Sequence, residues 1–253
     1  MANRSAAIVA HRGASHDAPE NTLAAFRLAW QQQADAVECD VRLTADGRPA
    51  VMHDATTART TGADLTVSET ALDDLRRLDA GAWKDPRWAG ERVPHLAEVL
   101  ATVPDGRGVI VEVKSGLETV PVVADVLNAS PIDRARVVVV SFSEQVISAV
   151  GERLPGVERR WLWGFRQDAE TGSWNITADD LVARARRCGA DSLGLSASDA
   201  IDDDLVRTLR TAGLPLHVWT IDDPALARRM IALGAASITT NRPGRLRAEL
   251  EGA

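Results

Sequence analysis

Residues 7–15 read AIVAHRGAS, and the turn that ends this first apolar run separates two α/β architectures. A doubly wound open sheet ordinarily places a glycine-rich phosphate turn after its first strand. His11-Arg12-Gly13-Ala14-Ser15 is not that turn. Working outward, further short apolar or β-branched runs occupy Ala36–Val41, Val109–Val113, Arg136–Phe142, Val157–Trp163, Asp191–Leu195, Leu216–Ile221 and Ala236–Thr240. Each is followed by a stretch of helical period. Leu23, Phe26 and Trp30 share one face up to about Gln33, and Ser143-Glu144 opens a periodic stretch ending near Leu154. Thr177 to Asp180 reads as a capping box for a helix that Gly189 stops, and Asp222-Asp223-Pro224 starts another that Gly234 closes. Eight strand–helix units are the count of a (β/α)8 barrel, and an open sheet needs fewer. The expectation is one domain spanning residues 1–253, an α/β chain folded as a single TIM barrel.

One run breaks the alternation. Pro49–Asp54 (PAVMHD) follows Ala36–Leu43 after only five residues, too few for a parallel crossover, and Asp46-Gly47 is a hairpin signal. With Asp46-Gly47 at the turn centre, Asp40 is expected opposite His53, the extra arm leaning over the barrel mouth. Residues 55–94 then form a small insertion after the second strand, with one helix near Ser68–Leu78. A second, polar loop occupies 164–176.

Composition narrows the class. The 253 residues are 45% hydrophobic and 26% charged, which excludes wholesale disorder. With 29 Lys and Arg against 36 Asp and Glu, the net charge of −7 argues against gripping a nucleic-acid backbone. Cys39 and Cys188 stand far apart and read as buried small hydrophobes in a reducing compartment. No apolar run approaches the ~18 residues of a membrane span, and residues 1–10 are too short before the first motif for a secretory leader. The chain is expected to be soluble and cytoplasmic, with no stable membrane insertion.

In a barrel of this kind, polar residues at the C-terminal strand ends point into the active site. Read in order, those ends carry His11 and Arg12; Glu38 and Asp40, spaced i, i+2 on one face; His53 and Asp54 on the hairpin arm; and Glu112 with Lys114. A single acid at a strand end is ordinarily a solvated or ion-paired rim residue. Here, charged groups interrupt apolar strands at one depth in neighbouring elements. Burying several carboxylates together is costly without a cation. Oxygen-only ligands favour Mg2+ or Ca2+ over zinc. A cation with Arg12 and Lys114 suits a phosphate anion, and two histidines divide proton transfers near neutral pH. Phosphodiester cleavage is the reaction that uses all these parts.

The stretches IVAHRGAS, APENTLAAF, VECDVRLTADGRPAVMHD, RTTG, VEVK and HVWTIDDP resemble the glycerophosphodiester phosphodiesterases, relatives of the phosphatidylinositol-specific phospholipases C. The resemblance runs from the first strand to the eighth. It implies that His11 and His53 form the acid–base pair, without dividing the two roles. It further implies that Glu38, Asp40 and Glu112 ligate a divalent metal, Mg2+ or Ca2+, and that Arg12 and Lys114 contact phosphate. Glu20 and Asn21 have supporting roles, and Trp219 forms an apolar wall beside the glycerol. The implied products are glycerol 3-phosphate and an alcohol, through a cyclic phosphate or by direct attack of water. A lysophospholipid-directed phospholipase and a non-catalytic phosphate-binding barrel are the alternatives. Thr57, His95, Ala97 and Asn241 depart from the residues frequent in the family. His16 and His217 read as structural or solvent-facing, and Trp161, Trp163 and Trp174 as packing or an alcohol-group pocket.

Overall fold

The computed structural model describes residues 6–252. In chain order the elements are β1 (Ala7–His11), α1 (Leu23–Gln31), β2 (Ala36–Leu43), β3 (Pro49–Val51), α2 (Ala58–Thr61), α3 (Leu72–Leu75), α4 (Leu96–Leu100), β4 (Gly108–Val113), α5 (Thr119–Ala129), β5 (Val137–Ser141), α6 (Glu144–Arg153), β6 (Glu158–Trp163), α7 (Ala178–Cys188), β7 (Ser192–Ser196), α8 (Asp203–Thr211), β8 (Leu216–Trp219), α9 (Pro224–Leu233), β9 (Ser237–Thr240) and α10 (Pro243–Glu251). The sheet order is β1-β9-β8-β7-β6-β5-β4-β2-β3, and a β1–β2 pairing closes the ring. Among the described residues, eight strands are parallel and β3 alone runs antiparallel, pairing with Val41–Leu43 of β2 beyond the stretch that pairs with β1. This is the expected (β/α)8 barrel. The expected leader reading rests partly on residues 1–5, which lie outside the described residues.

The sequence dictates the helix ends. Ser143, Thr177 and Asp223 each accept a backbone N–H of the first turn of α6, α7 and α9. Gly189 (φ +69°) and Gly234 (φ +106°) end α7 and α9 in the left-handed conformation that glycine adopts without a Cβ penalty. Between strands and helices lie two apolar layers. Phe26, Val37, Val111, Val139 and Leu154 belong to one, and Trp161, Leu193, Leu209, Val218 and Met230 to the other. Full burial of such a side chain stabilises the fold by about 1.5–3 kcal/mol. Inside the barrel, Val9, Ile110, Val140 and Leu162 form a smaller plug.

Two expectations need correction. Around the hairpin, Val41 pairs with Val51 and Leu43 with Pro49, and Met52 donates to the Asp40 carbonyl, so Asp40 stands opposite Met52 rather than His53. The cause is a three-residue loop. Thr44 N–H donates to Arg48 O, and Gly47 sits at φ +71°, the left-handed position that closes such loops. In the insertion, the single helix near 68–78 is replaced by a 3-10 turn at Val67–Glu69 and the one-turn α3, with α2 preceding them. A side-chain acceptor interrupts the longer helix: Asp46 Oδ1 takes the Leu72 N–H, while Asp79, past its end, takes those of Gly81, Ala82 and Gly90. The insertion has its own apolar cluster of Met52, Val67, Leu72, Leu75 and Val93, which props the hairpin arm from beneath.

Among the described residues, no helix is long and apolar enough to cross a membrane. Cys39 and Cys188 are buried free thiols.

Gly13 joins β1 to the loop before α1 at φ +80°, and a Cβ there meets the Ala25 backbone at 2.6–2.8 Å. Gly13→Ala is therefore expected to cost about 1–3 kcal/mol of stability through backbone strain alone, with the clash adding to it. Urea titration checks this, and an unchanged midpoint contradicts it.

Candidate active site

Strand register places the acids. His11 pairs with Glu38 across β1–β2, and Asp40 with Glu112 across β2–β4. Glu38, Asp40 and Glu112 present carboxylate oxygens that all lie within 4.8 Å of one another. Glu38 and Asp40 are 5% and 0% exposed, so water does little to screen their mutual repulsion. Burial, and then the neighbouring Asp40 and Glu112 charges, pushes the Glu38 carboxyl well above the usual carboxylate range. Glu112 is raised by burial and Asp40, although Lys114 opposes this.

Two cations and an amide offset part of this charge. Lys114 Nζ lies 2.9 Å from Glu112 Oε1 and 3.4 Å from Asp40 Oδ1. Arg12 Nε lies 3.1 Å from Asp40 Oδ2, an ion contact without hydrogen-bond alignment, while the Arg12 backbone N–H donates to Glu38 Oε2. Asn21 donates through Nδ2 to Asp40 Oδ2 and accepts the Asp40 N–H. Arg12 and Asn21 both hold left-handed backbone, at φ 57° and 58°. Glu38 Oε1 and Asp40 Oδ1 are nonetheless buried without a hydrogen-bond partner. Orphaned anionic oxygens in a repelling cluster fit a hard divalent cation with oxygen ligands.

The two histidines flank this cluster with different partners. His53 comes just after the short β3, its carbonyl held by Arg42 Nε, and its Nδ1 lies 2.6 Å from Asp54 Oδ1. Arg59, from α2, donates to Asp54 Oδ2 and, through two nitrogens, to Glu20, which also accepts from Arg12. Burial alone would raise Glu20 and Asp54. The Arg59 hydrogen bonds outweigh it, aided by Arg12 at Glu20 and His53 at Asp54, and hold each carboxyl at about 2. His11 Nδ1 instead lies 2.8 Å from Asn241 Oδ1. Burial is the main cause that lowers both histidines below their ordinary value.

A cavity of about 240 Å³ opens between these groups, lined by His11, Arg12, Glu38, His53, Glu112 and Lys114 at the mouth and by Trp219 and Phe142 on one side. Phe142 meets Trp219 edge-on with centroids 5.7 Å apart, so the wall expected of Trp219 has a second aromatic. His11, Arg12, Glu38, His53, Glu112, Lys114 and Trp219 thus reach one cavity, while Asp40, Asn21, Glu20 and Asp54 stand behind its lining and bond to these residues or their neighbours. Trp161, Trp163 and Trp174 do not line it; Arg184 stacks on the Trp161 and Trp163 rings, and Trp174 meets Phe165 edge-on. His217 is not solvent-facing. It sits deep in the cavity wall and bonds Ser237. Of the unusual positions, Thr57 is fully buried and Oγ1 bonds across its own loop, and His95 caps α4. Sequence reasoning missed the Arg59 link, the Phe142 lip and the Asn241 contact. RTTG carried the first, but the others depend on proximity across the barrel.

The chain has relatives among known proteins. The model of the glycerophosphoryl diester phosphodiesterase family matches residues 11–245. A glycerophosphodiester phosphodiesterase of Caldanaerobacter subterraneus is 33% identical over 240 residues, covering 93% of this chain and 94% of that protein. The structure of an Oleispira antarctica phosphodiesterase in complex with the product sn-glycerol-3-phosphate superimposes with a TM-score of 0.87 at 27% identity, covering 98% of this chain and 97% of that one. A glycerophosphodiester phosphodiesterase of Agrobacterium tumefaciens gives 0.78 at 29% identity, covering 96% and 99%. A barrel whose first and second strands converge an HRG and an E-x-D motif on one buried acidic cluster, matched along nearly its whole length, belongs to the glycerophosphoryl diester phosphodiesterase family.

Proposed function

We propose that this enzyme, a single catalytic domain, hydrolyses glycerophosphodiesters to glycerol 3-phosphate and an alcohol, using a divalent cation, Mg2+ or Ca2+, held by Glu38, Asp40 and Glu112. The observation that carries the reading is the buried carboxylate triad flanked by two imidazoles on one cavity. The cation, when bound, supplies positive charge against the negative charge that spreads over the phosphoryl oxygens in the transition state. Arg12 and Lys114 add fixed charge beside the same cluster and anchor the phosphate. Trp219 and Phe142 exclude water along the side where the glycerol carbons lie.

The hydrogen-bond partners divide the proton transfers. His11 faces a neutral amide, whose hydrogen bond favours the imidazolium less than a carboxylate would, and it acts as general base on the glycerol hydroxyl next to the phosphate. The hydroxyl oxygen forms its bond to phosphorus, and the bond to the head-group oxygen breaks. His53 faces the ionised Asp54, which favours the protonated ring, and delivers that proton to the departing alcohol. Water then opens the cyclic phosphate, with the proton roles of the two rings reversed. Burial lowers both rings, and the substrate's own negative charge raises them again, so the unequal partners set the order. A small-molecule substrate, no nucleic-acid partner and a cytoplasmic location complete the reading, the last supported by two buried free thiols.

Glycerophosphocholine with Mg2+ or Ca2+ is expected to yield glycerol 3-phosphate, and EDTA to abolish the yield. His11→Ala and His53→Ala should each lower kcat about 10²–10⁴-fold, and Arg12→Ala about 10²–10³-fold. Undiminished turnover after exhaustive chelation removes the metal from the mechanism. Preference for lysophosphatidylcholine over water-soluble diesters would reassign the substrate to lipids.

Thermal melts test the ligand set without turnover. Mg2+ or Ca2+ at a hundredfold its Kd should stabilise the protein by about 2.7 kcal/mol, and Glu112→Gln should remove most of that gain. Identical melts in EDTA and in saturating cation would show that the triad holds no ion.

Arg59 holds two carboxyls at about 2, below their ordinary 4.5 and 3.8. A depressed carboxyl contributes stability above its ordinary value and loses it as pH falls towards the folded one. The stability gap between the native protein and Arg59→Gln is therefore expected to be full near neutral pH and to close between pH 4.5 and 2. Urea titrations at several pH values measure it. A gap of constant size argues against the bridge.

A further inference from the structure

We propose that Asn241 and Asp222 are positioning residues, which fix the His11 ring in the tautomer that carries its proton on Nδ1. The inference rests on the acid–base reading of His11 but concerns groups outside it. Asn241 comes directly after β9, which pairs with β1, so closure of the barrel brings it beside His11 from 230 positions away. Asp222 lies in the loop after β8. Its Oδ1 accepts from Thr240 Oγ1 and from the Asn241 backbone N–H, both at 2.8 Å, and its Oδ2 accepts from Asn241 Nδ2 at 2.8 Å. Burial alone would raise this carboxyl, but the three hydrogen bonds hold it below the usual range.

An ionised carboxylate only accepts. It therefore forces the Nδ2 side of the Asn241 amide towards itself, which turns Oδ1 the other way. That oxygen meets His11 Nδ1 at 2.8 Å and Ser15 Oγ at 2.9 Å. An amide oxygen also only accepts, so His11 Nδ1 must be the donor and Nε2 must carry the lone pair. The charge at position 222 thus selects the His11 tautomer through an intervening amide. The Asn241 carbonyl accepts the His16 N–H as well, so the loop after His11 is tied to the same residue.

A merely structural clasp between the last loops would also explain the Asp222 bonds. The chemistry separates the two. With an amide at 222 alone, Asn241 is free to flip and to offer Nδ2 to the ring, which favours the wrong tautomer. With a carboxylate at 241 alone, two anions face one another across a hydrogen-bond distance. With both exchanges made, donors and acceptors match again, and His11 Nδ1 still meets an acceptor-only oxygen.

Asp222→Asn and Asn241→Asp are each expected to lower kcat about 10–100-fold, the scale found when an outer hydrogen-bond partner of a metal-site residue is lost, with KM changed less than about threefold. The double variant D222N/N241D should recover to within about tenfold of the native kcat. Unchanged kcat in both single variants, or losses that simply multiply in the double variant, would overturn the proposal. A measurement on the native protein needs no folded variant. Long-range 1H–15N correlation with labelled histidine should show His11 as the Nδ1–H tautomer, and an Nε2–H signature sinks the idea. That signature reads the hold of Asn241 on His11 whatever chemistry His11 performs. The acid–base reading stands or falls separately, on turnover by His11→Ala.

Discussion

Repulsion among Glu38, Asp40 and Glu112 is the constraint around which the rest of the molecule is arranged. The three acids cannot relax away from each other. Strand period puts Glu38 and Asp40 on the same inward face, and the β2–β4 ladder sets Asp40 directly opposite Glu112. Moving Glu38 or Asp40 outward would flip the whole of β2 and pull Val37, Cys39 and Val41, which are completely buried, out of the layer beneath the helices. The barrel therefore keeps the acids together, and the loops must supply what makes that tolerable. Arg12 and Asn21 come from the loop after β1 and Lys114 from the end of β4, and all three converge on Asp40. Two of them reach it with left-handed backbone, a strain of about 1–3 kcal/mol each that the surrounding packing sustains.

The insertion answers a different need. His53 stands on an arm of only three paired residues, and a lone hairpin is marginal in water. The Met52–Val67–Leu72–Leu75 cluster gives that arm a core of its own. Arg59 then ties the insertion to Glu20 on the loop after β1, so the arm carrying His53 is fastened to the segment carrying Arg12. What looks from its length like a spare excursion sets the distance between the two sides of the cavity.

The features legible in the sequence are those with local signatures. Apolar runs mark the eight strands to within about two residues, because burial on both faces leaves near-continuous β-branched runs. The i, i+2 acids are legible because strand period alone decides their face. The hairpin is visible from Asp46-Gly47, but its register slips by one: a two-residue and a three-residue loop share that dipeptide, and only the backbone of Gly47 distinguishes them. The helix expected at 68–78 fails for a related reason, since Asp46, from outside any local helical pattern, takes the Leu72 N–H. Trp161 and Trp163 suit either packing or a pocket on their pattern alone, and the Arg184 cation stacked on both rings decides for packing.

What no local reading could supply is the seam where the barrel closes. β1 pairs with both β2 and β9, so the first motif of the chain acquires partners from its beginning and from its end. Glu38 takes the Arg12 N–H from one side, while Asn241 takes the His11 ring and the His16 N–H from the other. The acidic cluster needs only β2, β4 and the loop after β1, and it forms from neighbours. The orientation of His11 needs β9, the last strand laid down. The two halves of the site therefore differ in what they demand of the chain: the carboxylates gather from strands near one another in sequence, whereas the acceptor at the His11 ring comes from its far end. Full competence is tied to the most non-local pairing in the chain, so the closed ring, rather than any single motif, is the unit on which the site depends.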